Sequence, residues 1–84
     1  MIASKHVRYA ATDQGVVFMN VANGAIFQSN PIGRMIWTRI KEDTPVSVIV
    51  DEIVERYGAS RQEVDRDVHG YIEALKSNGL IVEK

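Results

Sequence analysis

Cysteine is absent from the 84 residues. That absence removes disulfides, thiol catalysis, cysteine-ligated zinc and iron–sulfur clusters together, and it suits a reducing cytoplasm. Long hydrophobic runs are also missing. No apolar stretch approaches the roughly 20 residues that span a bilayer, and the opening Met-Ile-Ala-Ser-Lys lacks the apolar run of a signal peptide. A soluble, cytoplasmic chain with no membrane partner is expected. An excess of charge of one sign is lacking too: ten basic residues stand against eleven acidic ones, for a net charge of −1. Domains that live on phosphate contacts carry a clear basic excess, so nucleic acid is disfavoured as a partner.

Signatures of chemistry are equally scarce. His6 and His69 are the only histidines, and neither has a second ligand at metal spacing, so no metal is expected. The six glycines are scattered as turn and cap residues, with no phosphate-cradling loop or dinucleotide fingerprint, so no cofactor is expected. Ser4, Ser29, Ser47, Ser60 and Ser77 carry no nucleophile signature, and a preorganised site with its supporting shell is hard to build at this size. Asp65 and Asp67 cannot share a helix face, while Glu63 with Asp67 and Glu52 with Arg56 have the i,i+4 spacing of any solvated helix. The chain is expected not to be an enzyme.

What is present is a regular order of elements. With 45% hydrophobic and 25% charged residues, the composition is that of one globular domain, residues 1–84, around one modest core. From His6 to Ser29 the apolar residues recur with the short period of strands, interrupted at Asp13-Gln14-Gly15 and Ala22-Asn23-Gly24. The strands expected are Val7–Ala11, Val16–Val21 and Ala25–Ser29. The second is apolar on both faces, as burial on both sides would require. Asn23-Gly24 suits a tight hairpin turn, which makes the third strand antiparallel to the second and places it at a sheet edge.

Asn30-Pro31 starts a helix, with Asn as the cap and Pro in the first turn where its missing N–H costs nothing. Ile32, Ile36 and Ile40 form its stripe beside Trp37, and Gly33 permits close approach by another element. Thr44-Pro45 repeats the cap-then-proline start for a second helix, with Val46, Ile49, Val50, Ile53 and Tyr57 as its stripe and Gly58 as its stop. Ser60 and Glu63 have capping-box spacing ahead of a third helix that carries Val64, Val68, Tyr71, Ile72 and Leu75 and ends at Asn78-Gly79. Leu80-Ile81-Val82 is expected to pack back as an extended tail. The fold class is therefore α+β and winged-helix-turn-helix-like, a three-stranded antiparallel sheet followed by three helices. A winged-helix DNA-binding regulator is the alternative this order raises. Against it, helix three sets Glu63, Asp65, Asp67 and Glu73 beside Arg61, Arg66 and Lys76.

The run Gly15-Val16-Val17-Phe18-Met19-Asn20-Val21, then Asn23-Gly24-Ala25-Ile26-Phe27-Gln28-Ser29-Asn30-Pro31-Ile32-Gly33, then Ile36-Trp37, resembles the PqqD-like family, also called RiPP precursor recognition elements. Thr44-Pro45-Val46, Tyr57-Gly58, Val64, Asp67-Val68, Tyr71-Ile72, Leu75 and Gly79-Leu80-Ile81 resemble its C-terminal half. The likeness covers nearly the whole chain and rests on the order and spacing of motifs that are individually weak. One departure is Ser29, where the family commonly has a leucine before the asparagine that opens helix one. The strands around Asn23-Gly24 and the Trp37 position look closer to the family's discrete lasso-peptide proteins than to its peptide chaperone of pyrroloquinoline quinone biosynthesis.

The resemblance implies that a precursor's leader peptide adds as an antiparallel strand to strand three and lies in a groove between that strand and helix three. An edge strand offers N–H and C=O groups at fixed spacing for affinity, and side-chain pockets supply selectivity. On this basis Ala25, Ile26, Phe27, Gln28 and Ser29 are expected to form the peptide-binding strand, with the alternation of their side chains left open. Val64, Asp67, Val68 and Tyr71 share one sector of helix three and are expected to form the far wall. Val64 and Val68 also read simply as core with Ile72 and Leu75, and for Val68, Ile72 and Leu75 that is the favoured reading. Asp67 is suited to accepting hydrogen bonds or a basic leader residue, and Tyr71 offers a ring with a hydroxyl that can stay wet. The implied partners are the leader peptide and a leader peptidase or radical-type modifying enzyme.

Overall fold

A computed structural model describes residues 1–82. Its elements in chain order are β1 (Ile2–Ala3), β2 (Val7–Thr12), β3 (Gly15–Asn20), β4 (Ile26–Ser29), α1 (Pro31–Lys41), α2 (Val46–Tyr57), α3 (Arg61–Ser77) and β5 (Ile81–Val82). β2, β3 and β4 form an antiparallel sheet in that order, and β1 and β5 form a separate antiparallel pair. The expected sheet followed by three helices is present, with strand ends shifted by a residue. The tail does pack back, and its partner is the N-terminal segment, Ile2 opposite Val82 and Ala3 opposite Ile81.

Turn chemistry sets the strand ends. Asp13-Gln14 link β2 to β3, with Thr12 opposite Gly15 and the Thr12 hydroxyl accepting from Gln14 N–H at 3.1 Å. Gly15 has a φ of +140°, and a Cβ there would lie 1.9 Å from the Ser29 carbonyl oxygen. Only glycine fits. The second turn corrects the expectation of a tight Asn-Gly hairpin. Asn20 N–H donates to Ala25 O at 2.9 Å and Gly24 N–H to Asn20 O at 2.7 Å, so Val21 to Gly24 form a longer loop. Only Gly24 of the Asn23-Gly24 pair has positive φ. Asn side chains are the reason: Asn20 Oδ1 accepts from Ala22 N–H and Asn23 Oδ1 from Ala25 N–H, each at 2.9 Å, stabilising local turns in place of the two-residue form.

β3 is likewise not buried on both faces. Val16 and Phe18 point inward, whereas Val17 and Met19 point out and are 41% and 43% exposed. The inner face is covered by α1. Its start is as the sequence indicated: Asn30 Oδ1 accepts from Gly33 N–H at 2.8 Å, with Pro31 in the first turn. Ile36, Trp37 and Ile40 meet the sheet, and Trp37 stands edge-on to Phe18 at 4.7 Å and to Tyr9 at 5.5 Å. Ile49, Val50 and Ile53 of α2 and Val64, Val68, Ile72 and Leu75 of α3 complete the core with Leu80 and Ile81.

Two caps differ from their sequence signatures. Pro45 is the N-cap of α2, so Thr44 lies outside the helix and makes no cap bond; its N–H instead donates to Arg39 O at 2.9 Å. Ser60 is the N-cap of α3, but its side chain makes no cap hydrogen bond. Both starts are exposed or nearly so, and water can satisfy free N–H groups there. Arg39 ties α1 to α2 by donating from Nε and Nη2 to the Glu52 carboxylate at 2.8–3.1 Å. This holds the Glu52 carboxyl below its usual range.

Gly70 has no such packing role. A Cβ there meets nothing within 4 Å, yet glycine inside a helix is less stable than alanine by roughly 0.5–1 kcal/mol. Gly70→Ala is therefore expected to raise the unfolding free energy by about that amount, measured by chemical denaturation. An unchanged or lower denaturation midpoint would contradict this account of the site.

Candidate functional site

β4 is an edge strand, and its register with β3 fixes what each residue presents. Asn20 N–H donates to Ala25 O on one side of β3, and Val21 N–H donates to His6 O on the other. Backbone groups alternate along an antiparallel ladder. Those of Phe27 and Ser29 therefore turn toward their partners Phe18 and Val16, and those of Ile26 and Gln28 turn to the open edge. Side chains alternate in the perpendicular direction. Phe27 and Ser29 point to the inner face and are half-buried, whereas Ile26 and Gln28 point outward and are exposed.

The five strand residues singled out in the sequence thus divide into three roles. Ile26 and Gln28 offer free backbone groups. Phe27 and Ser29 offer side chains to the space beneath. Ala25 lies outside β4, with its C=O taken by Asn20 N–H and its N–H by Asn23 Oδ1, so it has no backbone group left for a ladder.

Tyr71 of α3 rises to meet this strand. Its ring lies 6.2 Å from that of Phe27, which in turn is 5.9 Å from Phe18 in the core. Its hydroxyl shares a hydrogen bond with Ser29 Oγ. Burial pushes the Tyr71 phenol up, and the Ser29 hydrogen bond opposes this to a smaller degree. The departure at Ser29 noted in the sequence therefore places a hydroxyl where the tyrosine can use it.

Next to Tyr71 lies an open, largely apolar pocket of about 280 Å³. α3 supplies Val64, Asp67, Val68 and Tyr71, so all four helix residues expected at the site line one cavity. Val64 and Val68 are also buried core residues, so the cavity wall there is the core itself. Asp67 is exposed at the rim and is the only charged residue of the lining. Its contact with Arg66 is long, 3.9 Å between two mostly exposed groups, which leaves the carboxylate accessible.

Sequence reasoning missed the other walls. Asn30, Ile32, Gly33 and Ile36 of the α1 segment and Ile53, Tyr57 and Ala59 of the α2 end also line the pocket. Tyr57 was legible only as the last residue of an apolar stripe, yet it is 49% exposed; an aromatic at the end of such a stripe, just before the Gly58 cap, is the signal that could have pointed here. Among the described residues, no group of three or more His, Cys, Asp or Glu is placed to hold a metal ion. No helix there is long and apolar enough to cross a membrane.

Known proteins share this fold. The family model described as coenzyme PQQ synthesis protein D (PqqD) matches residues 15–81. No curated protein matches the sequence. Among solved structures, TbiB1 in complex with the TbiA(beta) leader peptide superposes with a TM-score of 0.90 at 30% identity, covering 100% of this chain and 98% of that one. Lasso peptide synthetase B1 complexed with the leader peptide superposes with a TM-score of 0.88 over 96% of this chain and 95% of that one; at 22% identity this is a likeness of fold. The family match runs from the glycine that opens β3 to the buried isoleucine of β5, through both walls of the pocket, and on that ground the chain belongs to the PqqD family.

Proposed function

We propose that this chain, as a single domain over residues 1–84, binds the leader segment of a ribosomally made precursor peptide by β-strand addition. It then delivers that peptide to a leader peptidase or a radical-type modifying enzyme in natural-product biosynthesis. The observation that carries the reading is the open edge of β4, with Ile26 and Gln28 presenting backbone groups beside an apolar pocket. The complex of TbiB1 with a leader peptide, a relative 30% identical to this chain, supports it.

In this reading Ile26 and Gln28 form the ladder, which gives affinity without reading sequence. Leader side chains on the inner face of the extended sheet meet Phe27, Ser29 and Tyr71, and one enters the pocket against Val64 and Val68. Asp67 at the rim favours a basic or N–H-bearing neighbour. The chain acts in the cytoplasm as a carrier rather than a catalyst. The DNA-binding alternative is weaker. On α3, Arg61 pairs with Asp51 and Lys76 with Glu73, and Glu63, Asp65 and Asp67 stand on the same helix as Arg66, so a phosphate would meet carboxylates about as often as cations.

The outer face of the sheet is the surface for the receiving enzyme. Val17, Met19 and Ile26, the last 63% exposed, form an apolar patch beside Arg8. A leader strand added to β4 would widen that face with its own outward side chains, so a partner that docks there meets carrier and cargo together.

Fluorescence polarisation with a labelled leader from the precursor encoded beside this chain should give saturable binding, on the order of 0.1–10 μM as a transient carrier requires. Gln28→Pro deletes one outward N–H on an edge strand, where proline is tolerated. It is expected to weaken binding at least about tenfold with little change in thermal stability. Undiminished binding by that variant would sink strand addition. In a second test, Val17→Lys combined with Met19→Lys should leave leader affinity within about twofold while slowing leader removal or modification by the cognate enzyme at least about tenfold. Normal turnover would place the receiving surface elsewhere.

A further inference from the structure

Three elements converge on one point at the margin of the pocket. Ser29 closes β4, Gly33 lies in the first turn of α1, and Tyr71 stands in the middle of α3. The hydroxyls of Ser29 and Tyr71 share a hydrogen bond. A Cβ on Gly33 would lie 2.7 Å from Ser29 Cβ, 2.8 Å from Ser29 Oγ and 2.9 Å from Tyr71 Oη. The pair therefore sits in a space that exists only because residue 33 has no side chain. Such a fit comes from packing, since two hydroxyls meeting by chance on a wet surface have no reason to need it.

Tyr71 is half-buried and has two faces to its surroundings. One side is tilted against Phe27, and the ring also forms a wall of the apolar pocket. A tyrosine ring has only two side-chain torsions, so a hydrogen bond at its far end fixes the whole side chain. With the hydroxyl held, the wall stands still and the pocket has a definite width. Without it the ring is free to swing, and the pocket can accept side chains of several sizes.

From this we infer that Ser29 is a positioning residue for leader selectivity: acting through Tyr71, and seated against Gly33, it fixes the pocket wall and so decides which size of apolar leader side chain is accepted. The inference rests on the leader-binding reading above and adds to it the residue that sets specificity. Strand addition continues to supply the sequence-independent part of the affinity. The clasp governs discrimination at one leader position. A leucine at position 29 has no hydroxyl with which to hold the tyrosine, so a chain carrying one must fix its wall by packing instead.

The test starts from an alanine scan of the leader against the wild-type protein, which identifies the pocket position as the one where alanine weakens binding most. Leaders carrying Ala, Val, Leu, Phe and Trp at that position are then titrated against wild type, Ser29→Ala, Tyr71→Phe and the double variant, with the thermal midpoint of each protein recorded. Tyr71→Phe keeps the ring and removes only the bond. Wild type is expected to separate its best from its worst leader by at least about tenfold, the range that one or two methylene groups give in an apolar pocket. Whatever the change in its overall affinity, each single variant should compress the separation at least about threefold, and the double variant should compress it no further than either single one.

Unchanged discrimination in folded single variants, or independent effects that add in the double variant, would overturn the clasp while leaving leader binding intact. Failure of the wild type to bind any leader would instead remove the reading beneath it. If Ser29→Ala unfolds, Tyr71→Phe carries the same comparison alone.

Discussion

The contact between Phe18 and Trp37, ring centroids 4.7 Å apart and nearly perpendicular, organises the molecule. Phe18 is the inward residue at the middle of the central strand, and Trp37 is the middle of the helix that covers it. Both are almost wholly buried. A chain of this size has one sheet face to bury and few large side chains with which to bury it, so where this pair meets decides where everything else can go. α1 is thereby centred on β3. The flank of the sheet at β4 is left for α3, which reaches it through Tyr71 and not through a close-packed seam. The pocket is what remains between α1, the end of α2 and α3 when one helix takes the centre and the other arrives from the side.

That arrangement leaves two sheet edges of unequal character. β2 is the longer, and its edge is guarded: Arg8 lies on it and its Nη1 donates to the Val7 carbonyl at 3.0 Å, the kind of charged edge that discourages pairing with a stray strand. β4 presents no such charge. Its protection is brevity, since four residues leave two with outward backbone groups, too few to template an aggregate but enough to orient a peptide that also has a side chain to bury. In the proposed leader complex, a short open edge beside a pocket would be selective because neither part suffices alone. The ladder is indifferent to sequence, and the pocket holds a side chain only when the backbone is in register.

Much of this was legible in the sequence. Asn30-Pro31 marked α1 because the cap and the missing N–H are both local chemistry, and the stripes of α2 and α3 gave the core because burial imposes the helical period. Local signals also misled. Ser60 and Glu63 have the spacing of a capping box, but an exposed helix start gains little over water, and no reciprocal bond forms. Asn23-Gly24 suggested a two-residue turn, and the two asparagine side chains stabilised a longer one. β1 and β5 were invisible as a pair because two residues carry no period, and their partnership joins the two ends of the chain.

The site was half legible for a sharper reason. Periodicity tells which residues of a strand share a face but not which face is inside, and in Ile26-Phe27-Gln28-Ser29 both choices put an aromatic or aliphatic residue toward the core. The phase is set from outside the strand, by Phe18 opposite Phe27. Once that is known, the free backbone groups must belong to Ile26 and Gln28, since side-chain direction and hydrogen-bond direction alternate together. The Ser29–Tyr71 bond joins positions 42 residues apart, and nothing in either neighbourhood announces it. Residue types read locally give the walls of such a site; which wall is held still is decided by a contact between elements far apart in the chain.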